Sequence, residues 1–109
     1  LSSNSIESIE LILGNNSIEL IEEEGFYGLK NLNELNLIEN KIQIIKKKSF
    51  FGLDNLEKLK LGYNLIESIE EEGFYGLNNL NELFLSENKI KQIKKRSFFG
   101  LDNLKKLEL

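Results

Sequence analysis

Cysteine, histidine, methionine, tryptophan and proline are absent from these 109 residues, and so are alanine, valine and threonine. Twelve residue types build the chain. Without cysteine there is no disulfide and no thiolate chemistry. Without histidine or cysteine the usual zinc sites and the common nucleophile–base pairs are gone. No run of about 18 apolar residues exists, so no membrane-spanning helix and no membrane insertion are expected. A positively charged start followed by an apolar run is also missing, so no signal peptide is visible. The net charge of −4 disfavours nucleic acid and an anionic membrane surface as partners.

What is present is periodic. Leu11, Leu35, Leu59, Leu83 and Leu107 lie 24 residues apart, as do Leu13, Leu37, Leu61, Leu85 and Leu109. Asn16, Asn40, Asn64 and Asn88 keep the same step, and so do Phe26, Phe50, Phe74 and Phe98. A period of 48 is superposed: Ile21 to Leu29 returns as Ile69 to Leu77, and Ile45 to Leu53 returns as Ile93 to Leu101 with Arg96 in place of a lysine. Acidic and basic units therefore alternate. The Leu35-x-Leu37 alternation reads as a short strand of two-residue period. Phe50, Leu53 and Leu56 are spaced by three, which suits a helical or 3₁₀ turn on the opposite side. No single unit can bury this apolar face alone, whereas stacked units share one core.

One unit, Leu32-x-x-Leu35-x-Leu37-x-x-Asn40-x-Ile42-x-x-Ile45 followed by Phe50 and Leu53, resembles the leucine-rich repeat family in its typical 24-residue subtype. Such units occur in Toll-like receptors, Slit-type guidance proteins, small proteoglycans and the lymphocyte receptors of jawless fish. The resemblance covers residues 11–109 and implies an α/β solenoid, a short right-handed horseshoe of about four repeats. A parallel sheet would line its concave face, with 3₁₀ or irregular turns on the convex face. It also implies that Asn16, Asn40, Asn64 and Asn88 form an internal ladder. An amide has the donors and the acceptor to bridge neighbouring turns. The whole chain, residues 1–109, is taken as one domain. Residues 1–10 form a degenerate short first turn, because Asn4 and Asn16 are only 12 apart. The chain reads as a fragment of a longer array, with an engineered scaffold as the alternative. Leu107 and Leu109 in an uncapped last strand suggest self-association. The family is often extracellular in animals, but its usual cysteine-rich caps are missing, so the compartment stays open.

The residues flanking the inward leucines should face the concave side. They form four columns: Glu10, Glu34, Lys58, Glu82, Lys106; Ile12, Asn36, Lys60, Phe84, Glu108; Gly14, Ile38, Gly62, Ser86; and Asn15, Glu39, Tyr63, Glu87. The two 48-residue halves differ most at these positions. In the family this face commonly binds protein, so a protein partner is expected. The expected patch centres on Tyr63 and Phe84, rimmed by Lys58, Lys60, Glu82 and Glu87, with Asn36 and Ile38 beside it. Aromatics ringed by charge are typical interface anchors. The alternative is that both rings pack on lysine stems from adjacent strands.

Other motifs carry less. The triplets Glu22 to Glu24, Lys46 to Lys48, Glu70 to Glu72 and Lys94 to Arg96 would stack acid on base and form ion pairs between repeats. Tyr27, Phe51, Tyr75 and Phe99 should stack on the convex side. Asn15-Asn16-Ser17 matches the N-glycosylation pattern, once among fourteen asparagines. No cofactor is expected, and no enzymatic activity. The only aspartates, Asp54 and Asp102, lie 48 apart on the outer side, and no carboxylate pair breaks the repeat symmetry as a catalytic pair should.

Overall fold

Eight short strands and the turns between them make up the computed structural model, which describes residues 8–109. The first turn assigned to residues 1–10 therefore lies mostly outside the described residues. In chain order the strands are β1 (Glu10–Ile12), β2 (Glu34–Asn36), β3 (Ile44–Ile45), β4 (Lys58–Lys60), β5 (Ser68–Ile69), β6 (Glu82–Phe84), β7 (Gln92–Ile93) and β8 (Lys106–Glu108). Five of them form a parallel sheet in the order β1-β2-β4-β6-β8. Its register repeats the sequence period: Leu11 pairs with Leu35, Leu35 with Leu59, Leu59 with Leu83 and Leu83 with Leu107. The central leucine of each strand points into the core and its two neighbours point out. Leu35, Leu59 and Leu83 are fully buried.

A second parallel sheet, in the order β3-β5-β7, runs down the far side of the turn. It pairs Ile45 with Ile69 and Ile69 with Ile93. The 24-residue spacing of these isoleucines promised inward-pointing side chains and no sheet. Their backbones pair because stacking brings each two-residue segment beside its counterpart in the next repeat.

The helical component of the expected α/β class is absent: among the described residues no α-helix or 3₁₀-helix forms. The fold is a parallel-strand solenoid of about four turns, and its convex side is a chain of single turns. Tyr27 N–H donates to the Glu24 carbonyl at 3.0 Å, and Leu29 N–H to Phe26 at 3.3 Å. The reason lies in the backbone at either end of each segment. Glu24, Lys48 and Glu72 are left-handed, with φ of 57°, 56° and 59°, and Gly28, Gly52 and Gly76 follow four residues later at 101°, 103° and 99°. Too few right-handed residues remain between them to propagate a helix past its unfavourable nucleus.

The core has a leucine and isoleucine layer and a phenylalanine column. The rings of Phe26, Phe50, Phe74 and Phe98 stack in series at 6.0, 5.9 and 5.7 Å. Phe50 and Phe74 are fully buried, whereas Phe26 and Phe98 are only partly so. Burial is thus completed by the neighbouring repeats, as stacked units require. Tyr27, Phe51, Tyr75 and Phe99 form a second, outer column at 6.2, 6.0 and 6.0 Å.

Side-chain amides close the turns that leave the concave sheet. Asn64 Oδ1 accepts the Ile42 amide at 3.2 Å, while Nδ2 donates to Leu37 and Leu61 carbonyls at 3.0 and 3.1 Å. Asn40 accepts from Ile18 and donates to Leu13 and Leu37. Asn88 accepts from Ile66 and donates to Leu61 and Leu85. Among the described residues Asn16 donates only within its own turn, to Leu13 and Gly14.

Candidate functional site

Strand pairing sets the first concave column as Glu10, Glu34, Lys58, Glu82 and Lys106, and the second as Ile12, Asn36, Lys60, Phe84 and Glu108. Most of the charge here is neutralised within the chain. Lys60 Nζ reaches across to Glu34 Oε2 at 2.8 Å, Lys58 approaches Glu82 at 4.0 Å, and Lys106 approaches Glu108 at 3.7 Å. The Lys60 hydrogen bond holds the Glu34 carboxyl below the ordinary carboxylate range and in turn raises the Lys60 ammonium. Glu10, on the neighbouring strand, shares a hydrogen bond with Glu34 that raises its own carboxyl. Two adjacent carboxylates and one lysine compete for the same proton and the same charge.

Phe84 is half-buried, and the Lys106 ammonium lies over its ring at 5.3 Å from the centroid. Asn36 Oδ1 accepts the Ile38 amide at 2.9 Å, so its side chain braces its own turn as well as facing outward. Ile38 is half-buried beside Gly14, where an added β-carbon would fall 3.0 Å from the Ile38 carbonyl oxygen.

The fourth column stands apart. Asn15, Glu39, Tyr63 and Glu87 are all left-handed, with φ of 56°, 60°, 56° and 60°. Each of the first three donates its backbone N–H to the next repeat: Asn15 to Ile38 at 2.8 Å, Glu39 to Gly62 at 3.1 Å, and Tyr63 to Ser86 at 3.0 Å. The backbone therefore fixes four parallel side chains along one rim of the concave face. An open depression of about 460 Å³ lies among them, bounded also by Lys41 and the ladder residues Asn16, Asn40 and Asn64. Tyr63 is 60% exposed.

The expected patch thus divides in two. Tyr63 and Phe84 share the concave side, but their rings do not pair among the described residues. Phe84 keeps Lys60 and Lys106 as neighbours, while Tyr63 keeps Glu39 and Glu87. Lys58 and Glu82 face each other across adjacent strands at 4.0 Å.

The charge triplets interact differently from expectation. Among the described residues only Arg96 and Glu72 form an ion pair between triplets, at 3.2 Å. The other basic contacts go to rings: Lys48 lies 5.8 Å from both Phe51 and Tyr75, and Arg96 lies 3.8 Å over Phe99. Lys48 thus meets the outer aromatic column, Arg96 meets both an acid and a ring, and the Lys47 backbone N–H donates to Glu70 Oε1 at 2.8 Å.

Sequence reasoning missed a second set of amides. Asn55, Asn79 and Asn103 each donate to a backbone carbonyl of the preceding repeat, at 2.7, 2.7 and 2.6 Å. They line a polar groove of about 760 Å³ where the chain enters the concave strands. The signal was available, because Asn31, Asn55, Asn79 and Asn103 share the 24-residue step. Ser49 and Ser97 were missed as well. Both are fully buried, and Ser97 Oγ donates to Ile69 at 2.6 Å. Asn15 of the glycosylation pattern is exposed on the rim, and Leu107 and Leu109 are 41% and 66% exposed.

The sequence profile described as leucine rich repeat matches residues 9–66 and 54–109. No curated protein matches the chain. Among solved structures, the TLR13–ssRNA13 complex aligns over 92% of this chain with 39% identity and a TM-score of 0.84. The Toll–Spatzle complex of Drosophila, in glycosylated form, aligns over 93% with 29% identity and a TM-score of 0.85. A leucine-rich repeat protein of Leptospira interrogans aligns over 93% with 32% identity and a TM-score of 0.74. The chain spans 14%, 14% and 25% of the lengths of those three chains.

Proposed function

The chain belongs to the leucine-rich repeat family, and from that premise we propose that it is a protein-interaction module binding a partner through its concave sheet and the adjoining rim. The observation that carries this reading is where the repeat symmetry fails. Core positions return unchanged after 48 residues, whereas Asn36 becomes Phe84, Ile38 becomes Ser86 and Asn15 becomes Tyr63. Positions elsewhere also differ, such as Leu20 against Ser68 and Ile44 against Gln92, but the concave changes alone place an aromatic ring where the counterpart is an asparagine, and they leave the leucine core untouched.

Similarity to the Toll–Spatzle complex supports a protein ligand. Similarity to the TLR13–ssRNA13 complex supports a second reading, single-stranded RNA. The charge arrangement favours the first. A phosphate backbone needs free lysines or arginines, and on this face Lys60 is held by Glu34 at 2.8 Å while Lys106 and Lys58 each have a glutamate within 3.7 and 4.0 Å. Nothing in the concave set suits catalysis, since its carboxylates are open to solvent or held by lysine.

The test uses the isotopically labelled chain. A binding protein titrated into it shifts the amides of Asn36, Ile38, Tyr63 and Phe84. Tyr63→Ala combined with Phe84→Ala abolishes binding while the circular dichroism stays unchanged. Affinity that survives the double substitution overturns the concave reading, since binding then runs through another surface, and a chain whose amides no protein shifts is a structural spacer with no ligand of its own. Tight binding of a single-stranded oligonucleotide with the same shifts selects the RNA reading instead.

A further inference from the structure

Every surface aromatic except one already has a ring or a cation against it among the described residues. Tyr27 stacks on Phe51, and Phe51 and Tyr75 share Lys48. Phe99 carries Arg96, and Phe84 carries Lys106. Tyr63 has neither a paired ring nor a cation, although it is 60% exposed. Its two neighbours along the rim are carboxylates, Glu39 one repeat before and Glu87 one repeat after. Both are exposed, and neither forms an ion pair among the described residues.

We propose that Tyr63 is the seat for a basic side chain of the partner, an arginine guanidinium lying over the ring with Glu39 and Glu87 on its two sides. This rests on the concave-face reading above and names the chemistry its partner presents there. Three features converge. The face of a tyrosine ring attracts a cation through its quadrupole, and the chain uses that contact four times on its own rings, at 3.8 to 5.8 Å. Adjacent repeats stand about 4.8 Å apart, so the two carboxylates flank the ring at a separation their flexible stems can close. A guanidinium is planar, stacks on aromatics and offers five donors in a fixed fork, whereas an ammonium is compact and strongly hydrated.

The geometry also excludes alternatives. An acidic group would meet Glu39 and Glu87 without compensation beyond Lys41, the one basic residue bounding the depression. An apolar group would cover the ring but strand two carboxylates, at a desolvation cost. The left-handed backbone at all three positions, pinned by the Glu39 and Tyr63 amide bonds to the next repeat, holds the arrangement ready before binding.

The test titrates capped hexa-arginine, hexalysine and hexaglutamate peptides into the labelled full chain at low ionic strength, followed by nuclear magnetic resonance. Hexa-arginine moves the Tyr63 ring signals and the Glu39 and Glu87 amides in a saturable way. Hexalysine does so more weakly, and hexaglutamate does not. Tyr63→Ala, and Glu39→Gln with Glu87→Gln, each weaken hexa-arginine binding by about tenfold, whereas Tyr63→Phe retains it. All of these positions are exposed, so the fold is kept and circular dichroism checks it. The proposal is overturned if hexa-arginine moves the acidic triplets Glu22 to Glu24 and Glu70 to Glu72 while Tyr63 stays still. It is also overturned if the variants bind as well as the parent. A partner protein that contacts Phe84 and Asn36 but is indifferent to Glu39→Gln and Glu87→Gln leaves the concave reading standing and removes this inference alone. A partner that maps to the convex side removes both.

Discussion

The Tyr27 ring occupies the place where a side chain on Gly52 would go: a β-carbon built on Gly52 falls 2.8 Å from Tyr27 Cδ1. Gly52 also sits at φ +103°, where an L-residue is strained. Two separate penalties therefore fall on one substitution. Gly28 shares the strained φ, at +101°, but among the described residues nothing lies within 4 Å of its would-be β-carbon. Gly28→Ala should cost about 1–2 kcal/mol from backbone strain alone, and Gly52→Ala about 2–4 kcal/mol from strain plus displacement of the ring. Urea unfolding of the two variants gives the difference. Equal costs would show that the outer column yields freely and does not fix the spacing of the repeats.

Asn64 predicts a similar contrast within the ladder. It is 4% exposed and satisfies the Ile42 amide together with two carbonyls from different repeats. Asn64→Ala leaves those groups buried without partners, which should cost about 2–4 kcal/mol. Asn16 is exposed and, among the described residues, serves only its own turn. Its alanine variant should lose about 0–1 kcal/mol, since water replaces the lost bonds. A ladder that mattered only for local turn geometry would make the two losses alike.

The concave sheet was readable because strand and core share one simple rule: alternate leucines at a fixed step, so that pairing any two repeats pairs them all. Leu35, Leu59 and Leu83 follow it without exception. The second sheet was not readable, because Ile44–Ile45, Ser68–Ile69 and Gln92–Ile93 have no common polar pattern and are too short to alternate. The convex turns misled for a different reason. Spacing by three is common to a helix and to a series of single turns, and the residues that decide between them, Glu24, Lys48 and Glu72, are not the glycines or asparagines that usually announce a left-handed backbone. The concave columns were assigned from period alone. What period could not supply was which charges are already taken, since Lys60 reaches Glu34 on one neighbouring strand while its register partner on the other is Phe84.

Two phenylalanines ten residues apart should respond very unequally to truncation. Phe74 is fully buried between Phe50 and Phe98, so Phe74→Ala should cost about 3–5 kcal/mol. Phe84 packs on the concave surface under Lys106, and Phe84→Ala should cost no more than about 1 kcal/mol, mostly the ring–cation contact. Thermal unfolding of both variants checks this. A large loss at Phe84 would mean that its ring serves the scaffold, and that lost binding in the double variant could follow from lost stability.

The carboxylates of Glu10 and Glu34 should titrate apart, with Glu34 the more acidic. Glu34 is held down chiefly by its bond to Lys60, and Glu10 is held up chiefly by its bond to Glu34. The depressed Glu34 contributes stability that is present above its ordinary value of 4.5 and is lost as pH falls through its lower folded value. The raised Lys60 contributes stability that is present below 10.5 and is lost as pH rises through its higher folded value. Glu10 acts in the opposite sense to Glu34, favouring the folded chain at acid pH and losing that effect as it ionises. Glu10 is exposed and opposes Glu34, while Glu34 and Lys60 are half-buried, so the net effect on stability is modest and the site-specific titration is the sharper measurement. Carboxyl carbon shifts followed through the acid range should place Glu34 below Glu10. Lys60→Met should move the Glu34 midpoint upward, and Glu34→Ala should bring Glu10 down. A Glu34 midpoint indifferent to Lys60→Met would mean that the 2.8 Å contact does not persist in solution, leaving Lys60 free to meet an anionic partner and weakening the case against RNA.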